Sequence, residues 1–465
     1  MKHLFAALAF LLFATPVLAA DIKPLNLGKN TQVWFAEDHS VPIITLVASL
    51  PAGSAYDPAD KPGLAAFTAA LFDEGAGNLN SKAFQEAVAN RAIRMRAGVE
   101  RDYMTISVTT LSENLPEAMR LLQLALTKPR FDADAILRVR TQIIQGLAQG
   151  ESDAPTVARR AFVKAFFNGH PYGHSSDGDA ASIAAITAGD LRAFAKSHWV
   201  RGGLKLVIAG DITAPTATKV IGDAFKPVSA ATPPPPPPIG RLGQPGTHVI
   251  PLPVPQASVI FGLPGIMRKD PEFIPGYVAN YILGGGGFSS RLTEELRSKR
   301  GLTYGVSTSL STYNRASVML GSIATRANAV KQTVQVIRDT LANFATNGPT
   351  QQELDDAKTY LTGSFPLGFA SNAGIASQLS GFQRQGLDIG YVTRRNALIQ
   401  AVTLDDVRKV ARHLYNPARM TVIVAGTAGD GRAAERPKPP VRPDAPAPGT
   451  PPVAAKPPVQ PPVSP

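Results

Sequence analysis

The 465-residue chain contains no cysteine, which excludes disulfides and thiol chemistry. Aromatic residues make up only 7% of it. The basic stripe with interleaved aromatics that grips nucleic acid therefore has little material, despite a formal net charge of +12. Part of that excess is local: Arg432, Arg436, Lys438, Arg442 and Lys456 sit near the C-terminus against Glu435 and Asp444. No apolar run reaches the roughly 20 residues that a bilayer-spanning helix needs, so no integral membrane segment is expected. A 44% hydrophobic content supplies a large core and excludes an acidic disordered chain.

Residues 1–20 combine a basic start at Lys2, an apolar run from Leu4 to Phe13, and small residues at Ala19 and Ala20. This reads as a secretory signal cut after Ala19 or Ala20, and without a lipobox cysteine it points to the periplasm of a Gram-negative bacterium. Six consecutive prolines, Pro233 to Pro238, lie in a segment with little hydrophobic periodicity, read as an extended polyproline spacer over 228–246. From Pro437 to Pro465, 13 of 29 residues are proline, too many for helix or sheet, so 431–465 reads as a disordered tail.

The two remaining blocks, 21–227 and 247–430, resemble each other. An ungapped shift of 213 places Val41-Pro42 on Val254-Pro255, Asp57-Pro58 on Asp270-Pro271, and Pro62-Gly63 on Pro275-Gly276. A shift of 216 places Thr187, Asp190 and Ala209-Gly210 on Thr403, Asp406 and Ala425-Gly426. This is an internal repeat whose Thr-x-x-Asp signatures predict capping boxes at helix starts. Strand composition at 42–50, 103–111 and 204–209 alternates with helical spacing at 63–72, 81–92, 115–127, 133–149, 154–168 and 189–198. With a hairpin at 94–99 and 102–110, the expected fold is α+β: two homologous tandem domains, each a mixed, mostly antiparallel sheet with helices packed on it.

Asp57-Pro58 followed by Gly63-Leu64-Ala65, the run His170-Pro171-Tyr172-Gly173, Ile208-Ala209-Gly210-Asp211, and the stretch Leu283 to Tyr304 carry a resemblance to the insulinase/pitrilysin family of zinc metallopeptidases, which includes mitochondrial processing peptidase. It covers about 27–427. In active members the helix opening with Gly-x-Ala carries the zinc motif H-x-x-E-H. Here the motif positions read Ala66, Ala69 and Ala70. The family's third ligand, a Glu 75 to 80 residues on, is replaced by Gln145-Gly146. Methyl groups and hydrogens have no lone pairs, so no zinc and no other cofactor is expected on this chain. His170 and His174 have i, i+4 spacing, but Pro171 and Gly173 make the segment a turn rather than a helical metal pair. His39, His198, His248 and His413 are isolated.

In active relatives a helix and turn present an Arg and, seven residues later, a Tyr to substrate. The matching positions are Arg297 and Tyr304, and their donors suit the negative charge that builds on an attacked peptide carbonyl. The resemblance therefore implies catalytic residues acting in trans: a non-zinc subunit that completes the site of a zinc-bearing paralogous partner in a periplasmic heterodimer. Read from the residues alone, Arg297 is one surface base among Arg291, Lys299 and Arg300, and Tyr304 opens a strand. Gly284, Gly285, Gly286 and Gly287 fit neither G-x-x-x-x-G-K-[ST] nor G-x-G-x-x-G, so they read as backbone passing close to a peptide substrate. Unfolded peptide is the expected substrate, added as a strand to an open sheet edge. The alternative is a catalytically inactive peptide-binding or scaffold protein of the same fold.

Overall fold

Every second side chain of Met104–Leu111 is buried, the two-residue period of a strand with one face on a core. Around it a computed structural model describes residues 21–28 and 31–427. The expected signal 1–20 and tail 431–465 lie outside the described residues.

The strands are β1 (Ile22–Leu25), β2 (Gln32–Glu37), β3 (Ile43–Leu50), β4 (Gly75–Ala76), β5 (Leu79–Asn80), β6 (Arg94–Val99), β7 (Met104–Leu111), β8 (Lys205–Gly210), β9 (Gly246–Ile250), β10 (Gln256–Pro264), β11 (Val306–Thr312), β12 (Ser317–Arg326) and β13 (Thr421–Ala425). The helices in the first half are α1 (Leu64–Ala70), α2 (Ser81–Ala89), α3 (Leu115–Thr127), α4 (Ala133–Gly150), α5 (Ala154–Phe166), α6 (Ala180–Ala185), α7 (Ala188–His198) and α8 (Ala214–Phe225). The second half has α9 (Phe273–Asn280), α10 (Arg291–Thr293), α11 (Val330–Asn347), α12 (Gln351–Gly363), α13 (Asn372–Arg384), α14 (Tyr391–Gln400) and α15 (Leu404–Leu414).

One sheet runs β1-β2-β8-β3-β7-β6 and the other β9-β13-β10-β12-β11. Leaving aside β1, the order is the same. In each sheet one pair, β2 with β8 or β9 with β13, is parallel and the other main-sheet pairs are antiparallel. The two-domain α+β architecture and the repeat are therefore present. Repeated residues keep repeated jobs: Thr187 and Thr403 accept the N–H of Asp190 and Asp406 in complete capping boxes. Gly210 and Gly426 end their strands at φ +132° and +146°, and a Cβ at Gly210 would stand 2.1 Å from the Ile43 carbonyl oxygen.

Each sheet packs its own helices on one face and a helix of the other domain on the second. Phe162 and Phe166 of α5 cluster with Ile260, Val318 and Ile423 of the second sheet, while Ile375, Leu379 and Phe382 of α13 cluster with Trp34, Val47 and Val207 of the first. Through this exchange each domain lends a helix that buries the outer sheet face of the other. The proline segment differs from a free spacer. Residues 229–245 carry no helix or strand, yet the Pro237 carbonyl accepts from His170 Nε2 at 2.9 Å, the Pro236 carbonyl accepts from Arg315 at 2.9 Å, and Ile239 and Leu242 pack beside the α5 phenylalanines. In the first domain the sequence pattern left β1, β2, β4, β5, α6 and α8 unassigned. Of these, α6 is a short helix of 6 residues, whereas α8 has 12 and buries Ala217, Ile221, Ala224 and Phe225.

Candidate functional site

Helix α1 is started from a distance. Gly63 takes φ +90° at the N-cap, and the buried Asp57 carboxylate accepts the Gly63 N–H at 2.8 Å and the Ala65 N–H at 2.7 Å. Burial outweighs these two bonds and pushes the Asp57 carboxyl up to about 7. The Asp-Pro and Gly-x-Ala motifs are thus one device for launching this helix.

The helix then presents Ala66 half-buried, Ala69 buried and Ala70 exposed. Beside it α4 places Arg140 over the Phe67 ring at 5.6 Å and leaves Gly146 exposed, where a Cβ would meet nothing within 4 Å. The positions that would ligate zinc are present as backbone, and their side chains offer no donor atom. They do not fit the metal. Among the described residues there is no group of three His, Cys, Asp or Glu able to hold one.

The His-Pro-Tyr-Gly run is a latch between domains. His170 opens a turn over Pro171–Gly173, accepting the Tyr172 N–H on Nδ1 while Nε2 donates to the Pro237 carbonyl, which fixes the neutral Nε2–H tautomer. Tyr172 donates its hydroxyl hydrogen to buried Asp102 at 2.5 Å and accepts the Arg315 N–H at 3.2 Å. The other Asp102 oxygen accepts the Asn314 N–H at 2.9 Å. Burial and the Asp102 charge raise the Tyr172 hydroxyl above its usual range, so it stays a donor. His174 takes no part in a metal pair; burial holds its imidazole below the usual range.

In the second domain α9 continues into a π-helical turn, Tyr281–Gly285, and the glycine run follows. Gly284 is buried, and a Cβ there would lie 2.6 Å from Thr308 Oγ1 and 3.0 Å from a Leu292 methyl. It serves packing against β11, which corrects its expected role in substrate contact: a peptide cannot reach it. Gly286 lies against the Tyr281 ring and is half-buried, whereas Gly285 and Gly287 are exposed, the latter at φ +60°.

Helix α10 tightens into a second π turn, Glu294–Ser298, which carries Arg297. The four bases of this segment separate cleanly. Arg291 is fixed by two bonds to Glu353 at 2.6 and 2.7 Å, while Lys299 and Arg300 share Glu295 at 2.7 and 2.5 Å. Arg297 has no carboxylate partner among the described residues and lies 4.4 Å from the centre of the Phe288 ring. Phe288, at the end of the glycine run, is 77% exposed, and Tyr304 is 87% exposed. Turn bonds from Gly301 to the Arg297 carbonyl and from Leu302 to that of Leu296, with Thr303 bonded to Ala324, lead the chain to Tyr304 at the entry of β11. The structure thus joins the glycine run to Arg297 through Phe288, which sequence reasoning missed; a phenylalanine between glycines and serines was its only signal.

Two family models match the chain in succession: insulinase (peptidase family M16) over residues 32–179, and the peptidase M16 inactive domain over 185–361. A relative in Helicobacter pylori described as a non-peptidase homolog is 27% identical, covering 75% of this chain and 80% of its own length. One in Streptomyces coelicolor described as an uncharacterized zinc protease is also 27% identical, covering 73% and 75%. A crystal structure of a peptidase M16 inactive domain from Pseudomonas fluorescens superimposes with a TM-score of 0.83 at 29% identity, covering 88% of this chain and 98% of that one. Matched family models on both domains, the duplicated sheet, and the inverted zinc helix emptied to alanine agree: the chain belongs to the insulinase (M16) peptidase family, as a member without the zinc motif.

Proposed function

We propose that this chain is the zinc-less subunit of a periplasmic two-chain metallopeptidase, supplying Arg297 and Tyr304 to peptide bound against a zinc-bearing paralogous subunit. The observation that carries this reading is the unpaired state of Arg297 in a segment whose other three bases are all held by carboxylates. A guanidinium with no carboxylate partner among the described residues is available to donate to an oxygen that gains charge, and the exposed Tyr304 phenol seven residues on can donate as well. The metal chemistry belongs to the partner. This chain orients the scissile carbonyl and stabilises it, with the backbone at Gly285 and Gly287 open to an extended peptide.

Strands β6 and β11 are the outer strands of their sheets, so each has one unpaired backbone edge to which a peptide can add. The second reading, an inactive peptide-binding or scaffold protein, draws on the relative described as a non-peptidase homolog.

The test is to purify the chain with a paralogue bearing intact H-x-x-E-H and assay peptide cleavage by each alone and combined. The combination is expected to exceed the sum. Arg297→Ala and Tyr304→Phe are expected to lower turnover without preventing association. Unchanged turnover in both variants refutes the role, and tight one-to-one zinc binding by this chain alone refutes the division of labour.

A further inference from the structure

The turn between β6 and β7, the start of β8, the loop after β10, the turn between β11 and β12, and the end of α13 enclose a cavity of about 470 Å³ between the two domains. A second cavity of about 600 Å³ shares Glu100, Arg268, Thr312, Tyr313 and Gln385 with it. Their combined walls hold Arg101, Lys205, Arg268, Lys269 and Arg395, none with a carboxylate partner among the described residues. The carboxylates nearby are already used. Glu100 pairs with Arg384 at 2.6 Å, and both Asp102 oxygens serve the Tyr172 latch. Asp270, next to Lys269 in the chain, accepts the Glu272 N–H.

The guanidiniums are fixed in place by neutral acceptors and aromatic faces: Arg101 donates to the Tyr172 carbonyl, Arg268 to Gln385 Oε1, and Arg395 to the Leu361 carbonyl and Asn396 Oδ1. Arg101 lies over Phe167 and Tyr313, Arg268 over Phe273 and Tyr391 at 4.2 and 4.7 Å, and Arg395 over Phe365 at 4.3 Å. The two ammonium groups are nearly free. Lys205 reaches only Gln32 Oε1, at 3.5 Å, and Lys269 makes no hydrogen bond among the described residues. Burial, and secondarily the charge of the exposed Lys269, hold the Lys205 ammonium below its usual range. Glu100 and Asp102 also line the recess, but the cations outnumber them, and an excess of positive charge beside low-dielectric walls attracts counter-charge. The enclosed space suits a small molecule rather than a folded partner.

We propose that this inter-domain cavity is a binding site for a compact multivalent oxyanion, which would bridge the two domains through Lys205 and Lys269. The site is separate from the Arg297 and Tyr304 surface and does not depend on the function assigned to that surface.

Calorimetric titration of the whole protein with inorganic tripolyphosphate at low salt is expected to give saturable one-to-one binding. A parallel titration with citrate distinguishes a phosphate from a carboxylate preference, and binding of either supports the site. The double variant Lys205→Gln/Lys269→Gln is expected to lose at least 30-fold in affinity while its circular dichroism and ligand-free thermal midpoint stay at or above those of the parent. Non-saturable binding of both anions overturns the proposal, as does a double variant that binds like the parent. Binding of an oligoglutamate peptide with neither small anion bound also overturns it and assigns the cavity to acidic peptide.

Discussion

Helices α1 and α9 hold equivalent places in the repeat, yet they have gone opposite ways: the Pro62-Gly63 pair stands just before α1, whereas its counterpart Pro275-Gly276 lies within the first turn of α9. Helix α1 stops at Ala70 with alanine at each motif position, while α9 runs on through a π turn and a glycine run to Phe288. Replacing zinc ligands with alanine costs a helix nothing, because alanine has the best helix propensity and no polar group to bury. Leaving an arginine without a carboxylate partner returns to the fold only its stacking on the exposed Phe288 ring. The emptied half shows what stability alone permits; the other half keeps groups that stability does not require.

The comparison is broken most directly by substitution at both places. In the complex with a zinc-bearing paralogue, Arg297→Ala is expected to cut kcat by about 10²- to 10³-fold and Tyr304→Phe by about 10-fold, the scale for removing a donor to a developing oxyanion. Ala66→Ser should change kcat by less than about 2-fold. Steady-state peptide cleavage reads all three, and equal losses at Ala66 and Arg297 would erase the distinction between the halves.

The next effect falls on stability. Tyr172→Phe strips the buried Asp102 carboxylate and the Arg315 N–H of a shared partner, and is expected to destabilise by about 2 to 3 kcal/mol. Ser380→Ala removes a bond to Ser49 at 3.2 Å where α13 meets the first sheet, and should cost about 1 kcal/mol or less. Urea midpoints at constant slope separate the two. A larger loss from Ser380→Ala would put the inter-domain strength on the α13 side.

Much of this was legible in the sequence. The repeated Thr-x-x-Asp signatures predicted real caps, because a capping box is a local device whose partners are three residues apart. The proposed roles of Arg297 and Tyr304 rest on the family resemblance, since a lone base on a charged helix carries no sign of its pairing. What settles the pairing is long-range: Arg291 finds Glu353 across 62 positions, and no spacing rule announces it. The same holds for the exchange of α5 and α13 and for the cationic cavity, whose walls come from five separated segments. Gly284 was misassigned because a glycine run looks equally open along its length, while the contact that buries one member lies on β11.

That difference among glycines gives a smaller test. Gly284→Ala forces its methyl against Thr308 and is expected to cost about 1 to 3 kcal/mol. Gly146→Ala, in the interior of α4 with open space around it, should stabilise by about 0.5 to 1 kcal/mol. Thermal midpoints moving in the same direction would contradict the packing assigned to one of them.

The smallest effect separates the two capping boxes. Asp190 accepts from Thr187 and also pairs with Lys61 at 2.5 Å, and these contacts, Lys61 first, hold its carboxyl down at about 2. Asp406 accepts from Thr403 in the same way, but the residue matching Lys61 in the repeat is Ile274, and the Thr403 hydroxyl is the main cause that lowers its carboxyl. A carboxyl lowered by folding adds stability above its unfolded value of 3.8, and that stability disappears as the pH falls from about 4 to about 2. Solvent around the pair screens it and keeps the gain small. Lys61→Met is therefore expected to move the acid-unfolding midpoint upward by a few tenths of a pH unit, followed by circular dichroism between pH 5 and pH 2. Lys358→Met, which removes a charge near Asp406 but no ion pair among the described residues, should leave the midpoint in place. If both substitutions shift it equally, the lysine is acting through net charge alone, and the first box owes nothing to its added partner.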